Sequence, residues 1–254
     1  MTIDELGKQV LTELTSTKQR GLPWPLIISL LCLSVAALPF DAIITANRRT
    51  GVLAGDIRRI IQLSEIFGHG FGLAVVSYMI WILAPAKRRL FPRLIACSIL
   101  PGLAVHLIKS VIARRRPGFY YPEFTDSASE TWLGIAPGGF PNHEYLTQSF
   151  PSAHAATAFG LAIAMGWIFP KGRNSFFFFA FLAAIQRVVY GAHWASDVFV
   201  GSAVGIFVAS AVFNIGKVDQ MFAKFENGGK SNDANIAKAE ANEPAQAYDH
   251  SQAA

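Results

Sequence analysis

His193 and Asp197 are four residues apart, so in the first turns of a helix they share one face. A carboxylate placed there accepts the hydrogen of one imidazole nitrogen and leaves the other as a nucleophile or base. Arg187 lies six residues before His193, and Gly191 between them permits a tight turn that brings the guanidinium back toward the ring. His154 follows Pro151-Ser152-Ala153. A proline near a first helical turn suits a helix start, because its missing N–H would be unpaired there anyway. The N–H groups of Ser152, Ala153 and His154 then form an anion site, reinforced by the helix dipole. Lys109 and Arg116 are seven residues apart, and if their helix continues to Pro117 the two cations share a face. A phosphate suits that pair, with Arg as a planar fork and Lys as a point charge. Each motif alone also has a plain structural explanation: interfacial anchors for Lys109 and Arg116, a cap for His154, a capping pair for His193 and Asp197.

What decides between these readings is where the surrounding elements put the motifs. The 254-residue chain is 52% hydrophobic and only 15% charged, against about 25% charged in ordinary soluble domains. Its apolar runs are separated by short basic stretches, the pattern of an all-α, polytopic membrane bundle. Six spans are expected, near 24–41, 65–84, 92–109, 152–169, 175–191 and 195–214. The first is expected to be retained rather than cleaved as a leader. The net charge of +5 is explained by Lys87, Arg88, Arg89, Arg93, Lys171 and Arg173 beside apolar runs. No basic patch interleaved with exposed aromatics speaks for nucleic acid. Cys32 and Cys97 lie inside apolar runs and read as small buried hydrophobes.

Basic segments 85–93 and 170–174 orient the bundle with both termini in the cytoplasm, although Arg48, Arg49, Arg58 and Arg59 in loop 42–64 run against that trend. Residues 1–23 then form a cytoplasmic segment, 24–214 the membrane domain, and 215–254 a polar tail expected to be disordered. Loop 110–151 lies outside. In this layout all three motifs reach the same membrane edge, the external one, at the ends of spans three to six. One Lys, two Arg, two His and an Asp converging there make a constellation for phosphoryl transfer, which needs chiefly positioning and charge stabilisation.

Lys109-x6-Arg116-Pro117, Pro151-Ser152-Ala153-His154 and Arg187-x5-His193-x3-Asp197 resemble, in order and spacing, the three-part signature of the type 2 phosphatidic acid phosphatase superfamily. The resemblance implies a membrane lipid phosphatase. In it His193 attacks phosphorus to form a phosphohistidine and Asp197 holds its ring. His154 protonates the leaving oxygen and then activates water. Lys109, Arg116 and Arg187, with Ser152 and the backbone N–H of Ala153, bind the phosphate oxygens. It implies no metal, no cofactor and no obligate protein partner. The substrate would be a lipid phosphate such as phosphatidic acid, phosphatidylglycerophosphate, undecaprenyl diphosphate or lipid A; the expected setting is a bacterial inner membrane with the site facing the periplasm, and an organelle membrane fits the same sequence. Two positions depart from the pattern: Ala153 stands where Gly is usual, and Gln186 where Ser is usual. Neither removes a group the chemistry requires.

Asp41, Glu65, His69 and His106 are ionisable residues in or beside apolar runs, where such groups are costly. They either line the site or join helices, and Glu65 with His69, four apart, reads as a pair. Two other functions compete with hydrolysis: a lipid phosphotransferase using a diphosphate donor, and a non-catalytic transporter or scaffold indifferent to loss of His193.

Overall fold

The computed structural model describes residues 21–47, 55–119, 128–135 and 145–226. Helix α1 (Trp24–Ala37) runs through a 3-10 turn, Leu38–Phe40, into α2 (Asp41–Asn47). Helix α3 (Gly55–Leu63) and the turn Ser64–Gly68 lead to α4 (Gly70–Leu83). A 3-10 turn at Pro85–Leu90 opens α5 (Phe91–Val111). Two short strands follow, β1 (Ile112–Arg114) and β2 (Trp132–Ile135), then α6 (Ala153–Ile168), α7 (Arg173–Val189) and α8 (Ala195–Asn214). Residues 216–226 form a further helix, α9. The strands pair antiparallel, with Ile112 opposite Ile135 and Arg114 opposite Trp132, and a bulge falls between Ala113 and Arg114.

Helices stand at each of the six expected places, but they are not six equal spans. Among the described residues, three stretches are long and apolar enough to cross a membrane: Trp24–Ala46, Pro85–Val111 and Ala195–Asn214. A fourth joins them if the bent pair Gly55–Gly68 and Gly70–Leu83 counts as one span. The expected helix over 65–84 is broken by a 73° bend, because His69 is extended and caps α4 by accepting from the Phe71 N–H. With 16 residues, α6 is about 24 Å long, short of the roughly 30 Å hydrocarbon layer.

That short helix is the centre of the bundle, packed between α5, α7 and α8, with α1 against the far side of α8. Most of α6 is buried, including Phe159, Leu161, Met165 and Ile168. Glycines let the backbones meet, as small residues do between membrane helices. A Cβ on Gly160 would lie 2.2 Å from the Cys97 carbonyl oxygen, and one on Gly205 would lie 2.4 Å from that of Ala156. Ile28, Val35, Leu103, Leu107, Phe178 and Phe181 face outward, an exposed apolar surface that suits lipid rather than water. Cys97 is buried, whereas Cys32 is exposed on this outer face.

The end of the bundle away from the motifs departs from expectation at two points. Arg93 is not a solvated anchor: it is 3% exposed, and its guanidinium bonds Glu226 at 2.8 and 3.1 Å and Asp219 at 2.6 Å. Residues 216–226 are therefore docked on the bundle, with Phe222 in the core cluster beside Val212 and Leu94, and the rest of the expected tail lies outside the described residues. A buried cation needs its countercharges close by, and α9 supplies them.

Candidate active site

Helix α5 stops at Val111, so Lys109 and Arg116 do not share a helical face as expected. Residues 112–114 are extended, and alternate side chains of an extended chain point to opposite sides. Arg114 and Arg116 consequently turn inward while Arg115 is exposed. The two cations still converge, held by backbone carbonyls. Lys109 Nζ donates to the Gln148 oxygen at 2.5 Å and reaches that of Ser149 at 3.4 Å. Arg116 donates to the carbonyls of Tyr145, Gln148 and Ala192 at 3.0, 3.1 and 3.0 Å, and its guanidinium lies over the Tyr145 ring. Burial lowers the Arg116 pKa from its ordinary value, but a guanidinium stays charged at any working pH.

His193 is buried in the turn before α8. Gly191, at φ +67°, takes the left-handed position that closes α7, and the N–H groups of Ala192 and His193 both return to the Arg187 carbonyl. This is the turn expected from the spacing. The ring, however, is not held by Asp197 directly. Its Nδ1 lies 2.6 Å from the Ser149 carbonyl oxygen and 3.9 Å from Asp197 Oδ2, the latter too far for a hydrogen bond. A carbonyl can only accept, so Nδ1 carries the proton and Nε2 keeps its lone pair. Burial first, then the charges of Lys109, Arg116 and Arg187, hold the imidazole well below its ordinary pKa, and it is neutral at neutral pH.

Asp197 acts one contact away. Its Oδ2 accepts from Ser149 Oγ at 2.6 Å and from the Trp194 N–H at 3.1 Å, while Oδ1 is paired closely with Arg114. Arg114 is fully buried and also donates to Asp41 Oδ2 at 2.8 Å, Ser196 Oγ at 2.7 Å and Thr131 Oγ1 at 3.0 Å. Asp41 in turn accepts from the Ser196 N–H. An Asp41–Arg114–Asp197 chain thus ties α2 to the carboxylate beneath His193. The second-strand residue Trp132 stacks on the same guanidinium.

At the start of α6 the cradle is smaller than expected. The Ser152 N–H donates to the Asp197 carbonyl at 3.1 Å, and its Oγ caps the helix by accepting from the Ala155 N–H. Ser152 is fully buried, and its hydroxyl keeps its proton to donate. Ala153 and His154, the first two helical residues, keep N–H groups that have no acceptor inside the helix. A Cβ on Gly201 would sit 2.3 Å from the Ser152 oxygen, so glycine there lets α8 approach this turn. His154 Nε2 and Arg187 Nε are buried with no hydrogen-bond partner.

Of the four unassigned ionisable residues, Asp41 supports Arg114 and Glu65 accepts from Arg187 Nη1 at 2.5 Å and from Gln186 Nε2 at 3.0 Å. Glu65 therefore turns to α7 instead of pairing with His69, whose ring lies 5.9 Å from that of His154. His106 is exposed on the outer face of α5. The sequence reading missed Arg114 and Ser149. Alternation through Arg114-Arg115-Arg116 would have found Arg114 had the segment been read as strand, whereas the Ser149 contact runs through a backbone oxygen.

A helical bundle with an apolar exterior thus carries buried cations and a neutral, buried histidine at one end. The PAP2 superfamily matches residues 91–220, just over half of the chain and inclusive of all three motifs, and the chain belongs to that superfamily. Two curated relatives are a lipid A 1-phosphatase of Rhizobium etli and one of Rhizobium johnstonii. Each is 26% identical over 196 residues, covering 71% of this chain and 78% or 75% of theirs. Among solved structures, the crystal structure of Aquifex aeolicus LpxE aligns with a TM-score of 0.48 at 21% identity, covering 68% of this chain and 92% of that one.

Proposed function

We propose that this protein is a metal-independent lipid phosphatase that works through a phosphohistidine at His193. The observation that carries the reading is the fixed tautomer: Nδ1 bonded to the Ser149 carbonyl leaves Nε2 as a neutral nucleophile amid three cations. Nε2 attacks phosphorus, the bond from phosphorus to the lipid oxygen breaks, and that oxygen takes a proton from His154. Water then attacks the phosphohistidine, its proton returns to His154, and inorganic phosphate leaves with His193 neutral again. Lys109, Arg116, Arg187 and the N–H of Ala153 stabilise the charge that gathers on the phosphoryl oxygens. Asp197 contributes through Ser149, and Ser152 by shaping the turn.

The substrate is a lipid phosphate monoester or diphosphate that enters laterally from the bilayer. The names of the two Rhizobium relatives put a lipid A type substrate first, ahead of phosphatidic acid, phosphatidylglycerophosphate and undecaprenyl diphosphate. In this reading six spans place the site at the periplasmic edge of a bacterial inner membrane, with both termini cytoplasmic. Arg88 and Lys171 lie at the opposite end of the bundle from His193, in agreement with the positive-inside rule. The test is phosphate release by purified wild type and His193→Ala from those four lipids. Wild type should release phosphate from at least one and His193→Ala from none; a wild type inert on all four sinks the proposal.

A further inference from the structure

Glu65 lies outside the three motifs, in the turn that breaks the helix before α4. Its Oε1 accepts from Arg187 Nη1, and the same oxygen is 3.8 Å from His154 Nε2. Its Oε2 accepts from Gln186 Nε2, and Gln186 Oε1 accepts from Arg187 Nη1 at 3.1 Å. Gln186 is one of the two residues that depart from the family pattern, and here it helps fix the Glu65 carboxylate. The carboxylate is about two-fifths exposed, so it stands between the site and solvent.

The charges around His154 give this carboxylate its meaning. The His69 ring lies 5.9 Å from that of His154, Arg187 shares the Glu65 oxygen with it, and Lys109 and Arg116 add positive charge to the same end of the bundle. Positive charge gathered this closely leaves little room for a further cation unless an anion is near. The reading of this site as a phosphatase, on which this inference rests, requires His154 to carry a proton twice per turnover. A neighbouring carboxylate is the usual means of making an imidazolium tolerable in a cationic setting.

We propose that Glu65 is a positioning residue that acts through His154, offsetting the charge of its protonated ring as it gives a proton to the leaving oxygen and regains one from water. Glu65 stays ionised throughout; the proton moves only between His154, the leaving lipid oxygen and the incoming water. Holding Arg187 is its second contact, and the two roles separate by experiment.

The experiment compares Glu65→Gln and Glu65→Asp with wild type on two substrates: an alkyl lipid phosphate, whose leaving oxygen needs a proton, and p-nitrophenyl phosphate, whose leaving group does not. General acid catalysis contributes about 10²–10⁴-fold. Glu65→Gln should therefore lose roughly 10²-fold in kcat on the alkyl phosphate. With p-nitrophenyl phosphate it should show a burst of nitrophenol within about threefold of wild type, followed by slow turnover with phosphohistidine accumulating. Glu65→Asp, which keeps the charge, should recover much of the loss. Inhibition by orthovanadate, unchanged within about threefold in Glu65→Gln, reports an intact site with Arg187 in place. A nitrophenol burst slowed as much as alkyl phosphate turnover, or a loss of vanadate affinity that tracks the loss of kcat, means that Glu65 merely holds Arg187 and overturns the proposal. A wild type without phosphatase activity overturns the functional reading beneath it instead.

Discussion

Arg114→Met asks how much of the site rests on one buried guanidinium. Arg114, Asp41 and Asp197 all have fully buried side chains. Methionine fills most of the volume but leaves two carboxylates without their shared cation. Removing one partner of a buried pair costs about 3–5 kcal/mol, mainly because the other charge is stranded. Here two are stranded, although Asp41 keeps the Ser196 N–H and Asp197 keeps Ser149 Oγ and the Trp194 N–H. The upper end, about 5 kcal/mol, is therefore expected. At about 2–4 °C per kcal/mol for a chain of this size, the melting midpoint should fall by roughly 10–20 °C. The assay is thermal unfolding in detergent micelles, with phosphate release measured on the fraction still folded. Arg114→Lys should fall between, since one ammonium cannot reach Thr131, Asp41 and Asp197 together. Adding Asp41→Asn to Arg114→Met should restore about 1–3 kcal/mol, the coupling expected of residues in one network. A midpoint within about 2 °C of wild type, or strictly additive effects of the two substitutions, would refute the account.

Further predictions concern the turn, the packing and the far end. The pKa of His193 is lowered in the folded protein, so below about pH 6.5 the unfolded chain binds the extra proton and the native state does not. Stability should thus be fully present above that pH and fall as pH drops, by at most about 1.4 kcal/mol per unit; His193→Gln, followed by melts at pH 5.5 and 7.5, should lose this dependence. Gly201→Leu places side-chain atoms where the Ser152 carbonyl stands, so activity should drop by more than tenfold, whereas Gly70→Ala, with open space at its Cβ, should be silent in the same assay. Arg93→Met strands Asp219 and Glu226 at the other end. It should lower the melting midpoint while leaving KM and kcat of the folded fraction unchanged, and a change in KM would show that α9 communicates with the site.

The convergence of Lys109, His154, Arg187 and His193 was legible because residue type and the ends of apolar runs suffice to bring them together. What was not legible depends on backbone geometry. A helix continued through Arg116 and one ended at Val111 both bring the cation inward, so spacing alone could not choose between them. Likewise Ser152 has the right chemistry for phosphate, yet spacing does not show that its N–H goes to the Asp197 carbonyl and that its Oγ accepts from the Ala155 N–H, which leaves only the hydroxyl proton to donate. The break at His69 carries only a Gly-rich signal, in which Gly68 and Gly72 serve close contacts and Gly70 does not. Residues 216–226 open a polar tail, and they dock because Phe222 and Val218 pack on the core and because the buried Arg93, unreadable as buried from a basic run, pairs with Asp219 and Glu226.

The carbonyls of Gln148 and Ser149 receive Lys109, Arg116 and His193 together. Substituting either side chain leaves those acceptors in place, because every residue type carries the same main-chain oxygen. Scanning mutagenesis at position 148 would thus report on the side chain alone and miss the carbonyl that orients two cations. The natural lesion is one of length: a residue inserted or deleted between Tyr145 and Pro151 shifts both oxygens and uncouples nucleophile from cradle in one step. Loop sequence around the site is in this way free to diverge toward different head groups, while loop register is not.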